Sequence, residues 1–203
     1  MIKNIVFDIG MVLVDFRKRE YCKELGFDDY TTERIVKGIV ERPMWNELDM
    51  GIITEQDILN DYISREPDMS AQAQLFMKDL TEIVHSFPDS RQWLSELKAK
   101  GYSIYLLTNY PKNMFELHKN TQFDFMDLVS GYVVSSHINF TKPDKRIYEH
   151  LLQKYALNAD ECVFLDDLEA NTAAAASLGF QTITVTDRQA AKLKLFKLLE
   201  QNK

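Results

Sequence analysis

Five short apolar runs organise this chain, and each stops at a small polar or acidic residue. Ile2 to Phe7 ends at Asp8-Ile9-Gly10, and Tyr102 to Leu107 precedes Thr108-Asn109. Tyr132 to Val134 precedes Ser135-Ser136, Glu161 to Leu165 precedes Asp166-Asp167, and Gln181 to Val185 precedes Thr186-Asp187. Runs of this length, short and rich in apolar residues, read as buried strands. Helical patterns lie between them. Ser90 to Lys100 opens at a cap on Asp89 or Ser90 and closes at Gly101. Lys145 to Tyr155 puts Ile147, Leu151 and Leu152 on one face, Asn171 to Leu178 is alanine-rich and stops at Gly179, and Leu193 to Leu199 has apolar residues at helical spacing. Strand–helix alternation of this kind predicts an α/β fold, a Rossmann-like parallel sheet covered by helices on both sides.

Residues 17 to 85 break the pattern. They are rich in charged residues, Met and Tyr, have helical periodicity, and contain no convincing strand. Breaks at Gly26, Pro43, Gly51 and Pro67-Asp68 suggest four helices. The expected organisation is a core of residues 1–16 and 86–203, with residues 17–85 inserted as a helical unit after the first strand. A chain of 203 residues accommodates this.

Composition narrows the partners. A formal charge of −7 argues against binding nucleic acid or an anionic membrane, while leaving room for a local basic pocket. The two cysteines, Cys22 and Cys162, are far apart and have no histidine neighbours, so neither a zinc site nor a disulfide framework is expected. The first apolar run is too short for a secretory leader, and no stretch reaches the roughly 18 apolar residues of a membrane span. These features predict a cytoplasmic protein, monomeric or homodimeric. The four histidines show no ligand spacing and read as structural or solvated.

In open parallel sheets, sites form beyond the carboxyl ends of the strands. Here those ends deliver Asp8, then Thr108 and Asn109, then Asp166 and Asp167, with Lys142 in the loop after the third core strand. Three carboxylates in one crevice repel one another unless a cation sits among them. An oxygen-only donor set favours Mg²⁺ over zinc. A lysine and a hydroxyl beside it suit a phosphate group.

The motifs VFDIGMVLVDF around Asp8, LLTNY around Thr108, TKPD at Lys142 and VFLDDLEAN around Asp166 and Asp167 occur in this order. Together they resemble the haloacid dehalogenase-like (HAD) hydrolases, whose helical cap domain would correspond to residues 17–85. Within that family, FLDDLEAN and the Lys-Pro pair are similar to the bacterial α-glucose-1-phosphatase-like branch and to the phosphatase domain of soluble epoxide hydrolases. The resemblance implies that Asp8 attacks phosphorus and forms an aspartyl phosphate. It implies that Thr108 and the backbone near Asn109 hold phosphate oxygens, and that Lys142 pairs with nucleophile and phosphate. It also implies that Asp8, the Gly10 carbonyl and Asp167 bind Mg²⁺, with Asp166 supporting metal and lysine. Asn171 stands where many relatives carry a second acid.

One departure bears on mechanism. Most phosphatases of the family carry a second aspartate two residues after the nucleophile as general acid and base, and this chain has Gly10. A proton donor worth about 10²–10⁴-fold in rate must come from elsewhere. Trp45 and Glu47 lie where relatives contact substrate and are the expected cap contributors. The function expected is Mg²⁺-dependent hydrolysis of a small phosphorylated metabolite, with a sugar phosphate such as a hexose 1-phosphate as the example. The alternatives are a 2-haloacid dehalogenase, which needs no metal, and a catalytically weak HAD-like binding or regulatory protein.

Overall fold

Strand β1 (Asn4–Phe7) forms from the first apolar run and is buried along its whole length. The computed structural model describes residues 1–201. After a tight loop, strand β2 (Val14–Phe16) leads into helices α1 (Lys18–Glu24), α2 (Asp29–Ile35), α3 (Met44–Asp49), α4 (Glu55–Arg65) and α5 (Ser70–Lys78). Strand β3 (Val84–Ser86) returns the chain, pairing antiparallel with β2. Then follow α6 (Ser90–Ala99), β4 (Ser103–Thr108), α7 (Lys112–Thr121), β5 (Gly131–Val134), α8 (Ser135–Ile138), α9 (Lys145–Tyr155), β6 (Cys162–Asp166), α10 (Glu169–Ala176), β7 (Gln181–Thr184) and α11 (Arg188–Gln201).

The main sheet runs β5-β4-β1-β6-β7, every pair parallel. Side-chain alternation explains why its strands read as continuous apolar runs. Ile5 and Phe7 of β1 face one layer, where Trp93 of α6 meets Phe7 edge-on at 5.0 Å. Val6 faces the other layer with Leu107, Phe164 and the Ile147, Tyr148 and Leu151 face of α9. With both faces covered, neither register of side chains can be polar.

Two sequence expectations change. The breaks at Gly26, Pro43, Gly51 and Pro67-Asp68 separate five α-helices rather than four, since four interruptions leave five segments. A strand also lies where none was expected: Val84–Ser86 pairs with Val14–Phe16, and runs of three residues are too short to show a period. That ribbon carries the chain out to the helical segment and back. Asp89, one of the two expected positions, is the N-cap of α6 without a side-chain capping bond, while the Ser90 hydroxyl donates to the Leu13 carbonyl at 2.6 Å and ties α6 to the loop before β2. Among the described residues no helix is long and apolar enough to cross a membrane.

Candidate active site

The carboxyl ends of β1, β4 and β6 converge, and they bring Asp8, Thr108 and Asp166 to one end of the sheet. The Asp8 N–H donates to Leu165 O at 2.8 Å, locking the residue to the neighbouring strand. Its side-chain Oδ1 accepts from the Ile9 N–H at 2.7 Å and from Lys142 Nζ at 2.8 Å. No hydrogen bond from the described residues reaches Oδ2, so one oxygen is anchored and the other is free.

Lys142 lies in the loop before α9 and is only 4% exposed. Its Nζ also donates to Asp166 Oδ2 at 2.6 Å, bridging the two strand ends. Asn109 holds this loop in place by a reciprocal pair of bonds. Its Nδ2 donates to Lys142 O at 3.0 Å, and its Oδ1 accepts from Lys142 N at 2.8 Å. The Asn109 side chain is therefore committed to positioning the lysine.

Asp166 is fully buried and saturated: besides Lys142, its Oδ1 accepts from Leu168 N and Asn171 Nδ2, each at 2.9 Å. Asn171 thus occupies the second-acid position as a neutral donor that fixes Asp166. Asp167 is half-buried at the mouth, and no described side chain pairs with its carboxylate. One carboxylate oxygen from each of Asp8, Asp166 and Asp167 lies within 4.8 Å of the others.

Among the described residues, Lys142 is the one cation paired with this carboxylate cluster. Burial pushes the Asp8 acid up to about 7; Lys142 opposes that shift and the Asp166 charge adds to it. Burial also raises Asp167, with the Asp166 charge reinforcing it. For Lys142 burial acts downward, but Asp8 and Asp166 together outweigh it and the ammonium is raised.

Above this floor opens a cleft of about 290 Å³, a small-molecule volume. Gly10, Asn109, Lys142, Asp167 and Asn171 line its base with Asp8. Thr108 does not line it. Its hydroxyl is buried beneath, 3.5 Å from the Asn109 carbonyl, too far for a good hydrogen bond. Trp45 forms part of the wall and packs on Phe16, ring centroids 6.3 Å apart.

Glu47 is a correction. It is exposed and outside the cleft lining, whereas Asn46 and Asp49 of the same helix line it. Trp45 and Asp49 are four residues apart and share a helix face, which turns Glu47 away. The i,i+4 spacing from Trp45 was the available signal for Asp49. Nothing in the sequence marked Met11 or Leu168 as cleft residues, because both are loop positions that fold places at the mouth.

Fold and site define a doubly covered parallel sheet with an acidic crevice at its strand ends and helices inserted after the first strand. The chain belongs to the haloacid dehalogenase-like hydrolases, whose family model matches residues 2–179. It is therefore a phosphatase-like hydrolase of that family. It is 26% identical over 199 residues to the sesquiterpene phosphatase astK of Aspergillus oryzae, covering 97% of this chain and 96% of that one. It is 27% identical over 195 residues to the D-ribitol-5-phosphate phosphatase of Bacteroides thetaiotaomicron, covering 90% and 91%. The crystal structure of the HAD family enzyme bt-2542 from Bacteroides thetaiotaomicron, in complex with magnesium and inorganic phosphate, superposes with a TM-score of 0.71. It is 22% identical and covers 91% of this chain and 94% of that one, a likeness of fold.

Proposed function

We propose that this protein is a Mg²⁺-dependent phosphatase that cleaves a small phosphate monoester through an aspartyl phosphate on Asp8. The observation that carries the reading is the charge arrangement: three carboxylates share one ammonium, and one oxygen of Asp8 is left free above it. Excess negative charge held this close, with oxygen donors only, fits a hard divalent cation. Asp8, the Gly10 carbonyl and Asp167 would hold the ion, because among the described residues no side chain pairs with the Asp167 carboxylate. Asp166 is already saturated and would support the set from behind. When bound, Mg²⁺ supplies charge neutralisation for the carboxylates and the phosphoryl oxygens.

The protein's own residues would do the rest. Lys142 fixes Asp8 Oδ1 and leaves Oδ2 to attack phosphorus in line with the departing oxygen. Its ammonium also balances phosphoryl charge. Thr108, buried and outside the cleft lining, is given no contact with the phosphate in this reading. Asn109 keeps the lysine loop in register.

The cleft wall speaks to the organic group. Phe16, Trp45, Met114, Met11 and Leu168 are apolar; above the floor the polar side chains are Asn46, Asp49 and Tyr110, and the Tyr110 hydroxyl is already hydrogen-bonded to His118 Nδ1 at 2.6 Å. A hexose presents several hydroxyls that would lose their water without finding partners here. An alcohol with an apolar skeleton matches better, in keeping with the relative named a sesquiterpene phosphatase. We therefore place an apolar phosphate monoester ahead of a hexose 1-phosphate.

The test is a panel of phosphate esters, apolar and sugar, assayed for free phosphate with Mg²⁺ and again in EDTA. Phosphate release that EDTA abolishes and Asp8→Asn eliminates is expected. Activity undiminished after exhaustive chelation, or metal-independent dehalogenation of 2-haloacids, would contradict the reading.

A further inference from the structure

The proposed reaction needs a proton delivered to the leaving oxygen and one removed from water, and Gly10 can do neither. Three aspartates line the cleft: Asp8, Asp167 and Asp49. The first two are committed to nucleophile and cation. Asp49 stands on the opposite wall, at the last position of α3.

Its backbone is fixed to the core by three contacts. The Ser135 hydroxyl, at the start of α8, donates to Asp49 O, and it also receives the Tyr110 N–H at 3.0 Å. Asn139 Nδ2 donates to Met50 O at 2.7 Å. Gly51 has φ +70° and presses against Ser136 so closely that an added Cβ would lie 2.6 Å from Ser136 O. Glycine alone fits that approach at that φ. The helix end is thus clamped to the residues that follow β5, beside the strand that delivers Thr108.

The side chain, by contrast, is uncommitted. Among the described residues nothing hydrogen-bonds the Asp49 carboxylate and no cation lies within ion-pair distance of it. The charged and titratable groups that face it are Asp8 and Lys142 across the cleft and the Tyr110 phenol. Burial, then the charge of Asp8, push its acid up to about 7, where it can give and take a proton near neutrality.

We infer that Asp49 is the general acid and base of this hydrolase, brought to the cleft by the helical segment in place of a side chain at position 10. The inference rests on the phosphatase reading above. In the first step Asp8 Oδ2 forms a bond to phosphorus, the bond from phosphorus to the ester oxygen breaks, and the Asp49 proton passes to that oxygen, releasing a neutral alcohol. In the second step the Asp49 carboxylate takes a proton from water. The oxygen of that water attacks phosphorus, the aspartyl–phosphorus bond breaks, and inorganic phosphate leaves with Asp8 and protonated Asp49 restored.

The experiment measures turnover at saturating Mg²⁺ across phosphate esters graded from p-nitrophenyl to simple alkyl. For the wild-type protein a nearly flat series is expected, since a positioned acid levels the leaving groups. A steep wild-type series overturns the inference without requiring any variant to fold. In Asp49→Asn, alkyl ester turnover should fall about 10²–10⁴-fold. p-Nitrophenyl phosphate should give a burst of p-nitrophenol equal to the enzyme, followed by slow turnover, because the second step lacks its base. Unchanged alkyl turnover and no burst in that variant would overturn the assignment. An added Cβ at Gly10 meets nothing within 4 Å, so Gly10→Asp can be built into Asp49→Asn. At least tenfold recovery of alkyl turnover is expected, and no recovery would count against a missing proton donor. If the wild-type protein releases phosphate from no ester, the phosphatase reading itself falls. Activity with a steep series removes Asp49 alone.

Discussion

Replacing the nucleophile with its neutral isostere should make the metal-free protein more stable. Asp8 is buried, and that burial pushes its folded acid up to about 7 from the ordinary carboxylate value of about 3.9. Its folded pKa is raised, so the native state holds the proton more tightly than the unfolded state. The stability contributed is fully present below the unfolded pKa and is lost as pH rises from about 4 through about 7. Above that window the whole shift counts, and about three pKa units correspond to about 4 kcal/mol. At pH 5 only about 2 kcal/mol of it has been lost.

Asp8→Asn keeps the shape and removes the titration. Its advantage over wild type in EDTA should therefore grow from about 2 kcal/mol at pH 5 to about 4 at pH 8. Urea unfolding at the two pH values checks this. With a slope of about 3 kcal/mol per molar, the gap at pH 8 is a midpoint shift of about 1 M. Added Mg²⁺ should narrow the gap by stabilising wild type through binding. A variant that is less stable than wild type at pH 8 in EDTA, or a gap that shrinks as pH rises, would refute the argument that Asp8 is held against its own solvation.

Three further outcomes are expected. Asn171→Ala removes a buried donor from Asp166 and should cost about 1–3 kcal/mol, read as a melting temperature lower by roughly 5 °C, with phosphatase activity reduced. Gly51→Ala forces a side chain to φ +70° and into Ser136 O; the left-handed conformation alone costs about 1–2 kcal/mol, and kcat should fall because Asp49 is displaced. Leu168→Ser acts at a side chain 55% exposed at the cleft mouth. It should change stability by less than about 0.5 kcal/mol while raising KM for apolar esters relative to sugar phosphates in the ester panel.

The sequence alone determined the sheet and the floor of the site. Apolar runs such as Ile2 to Phe7 and Glu161 to Leu165 must be buried on both faces, and each run's end fixes where its polar residue emerges. Asp8, Asp166 and Asp167 were legible for that reason, and Lys142 because its TKPD motif falls in order among them, whereas Thr108 emerges at its strand end but outside the cleft. Helix faces and loop positions were not legible in the same way. Whether Glu47 or Asp49 meets the cleft depends on how α3 is rotated, and that rotation is set by contacts from Ser135 and Asn139, 86 and 89 residues distant in sequence. Asn109 reads as a phosphate-side residue until its bonds to the Lys142 backbone appear. The β2–β3 ribbon is too short to carry a period. Local pattern records what a residue must avoid, namely water or burial. Which partner it finds across the chain is decided by the simultaneous packing of segments far apart in sequence, and only the tertiary structure supplies that.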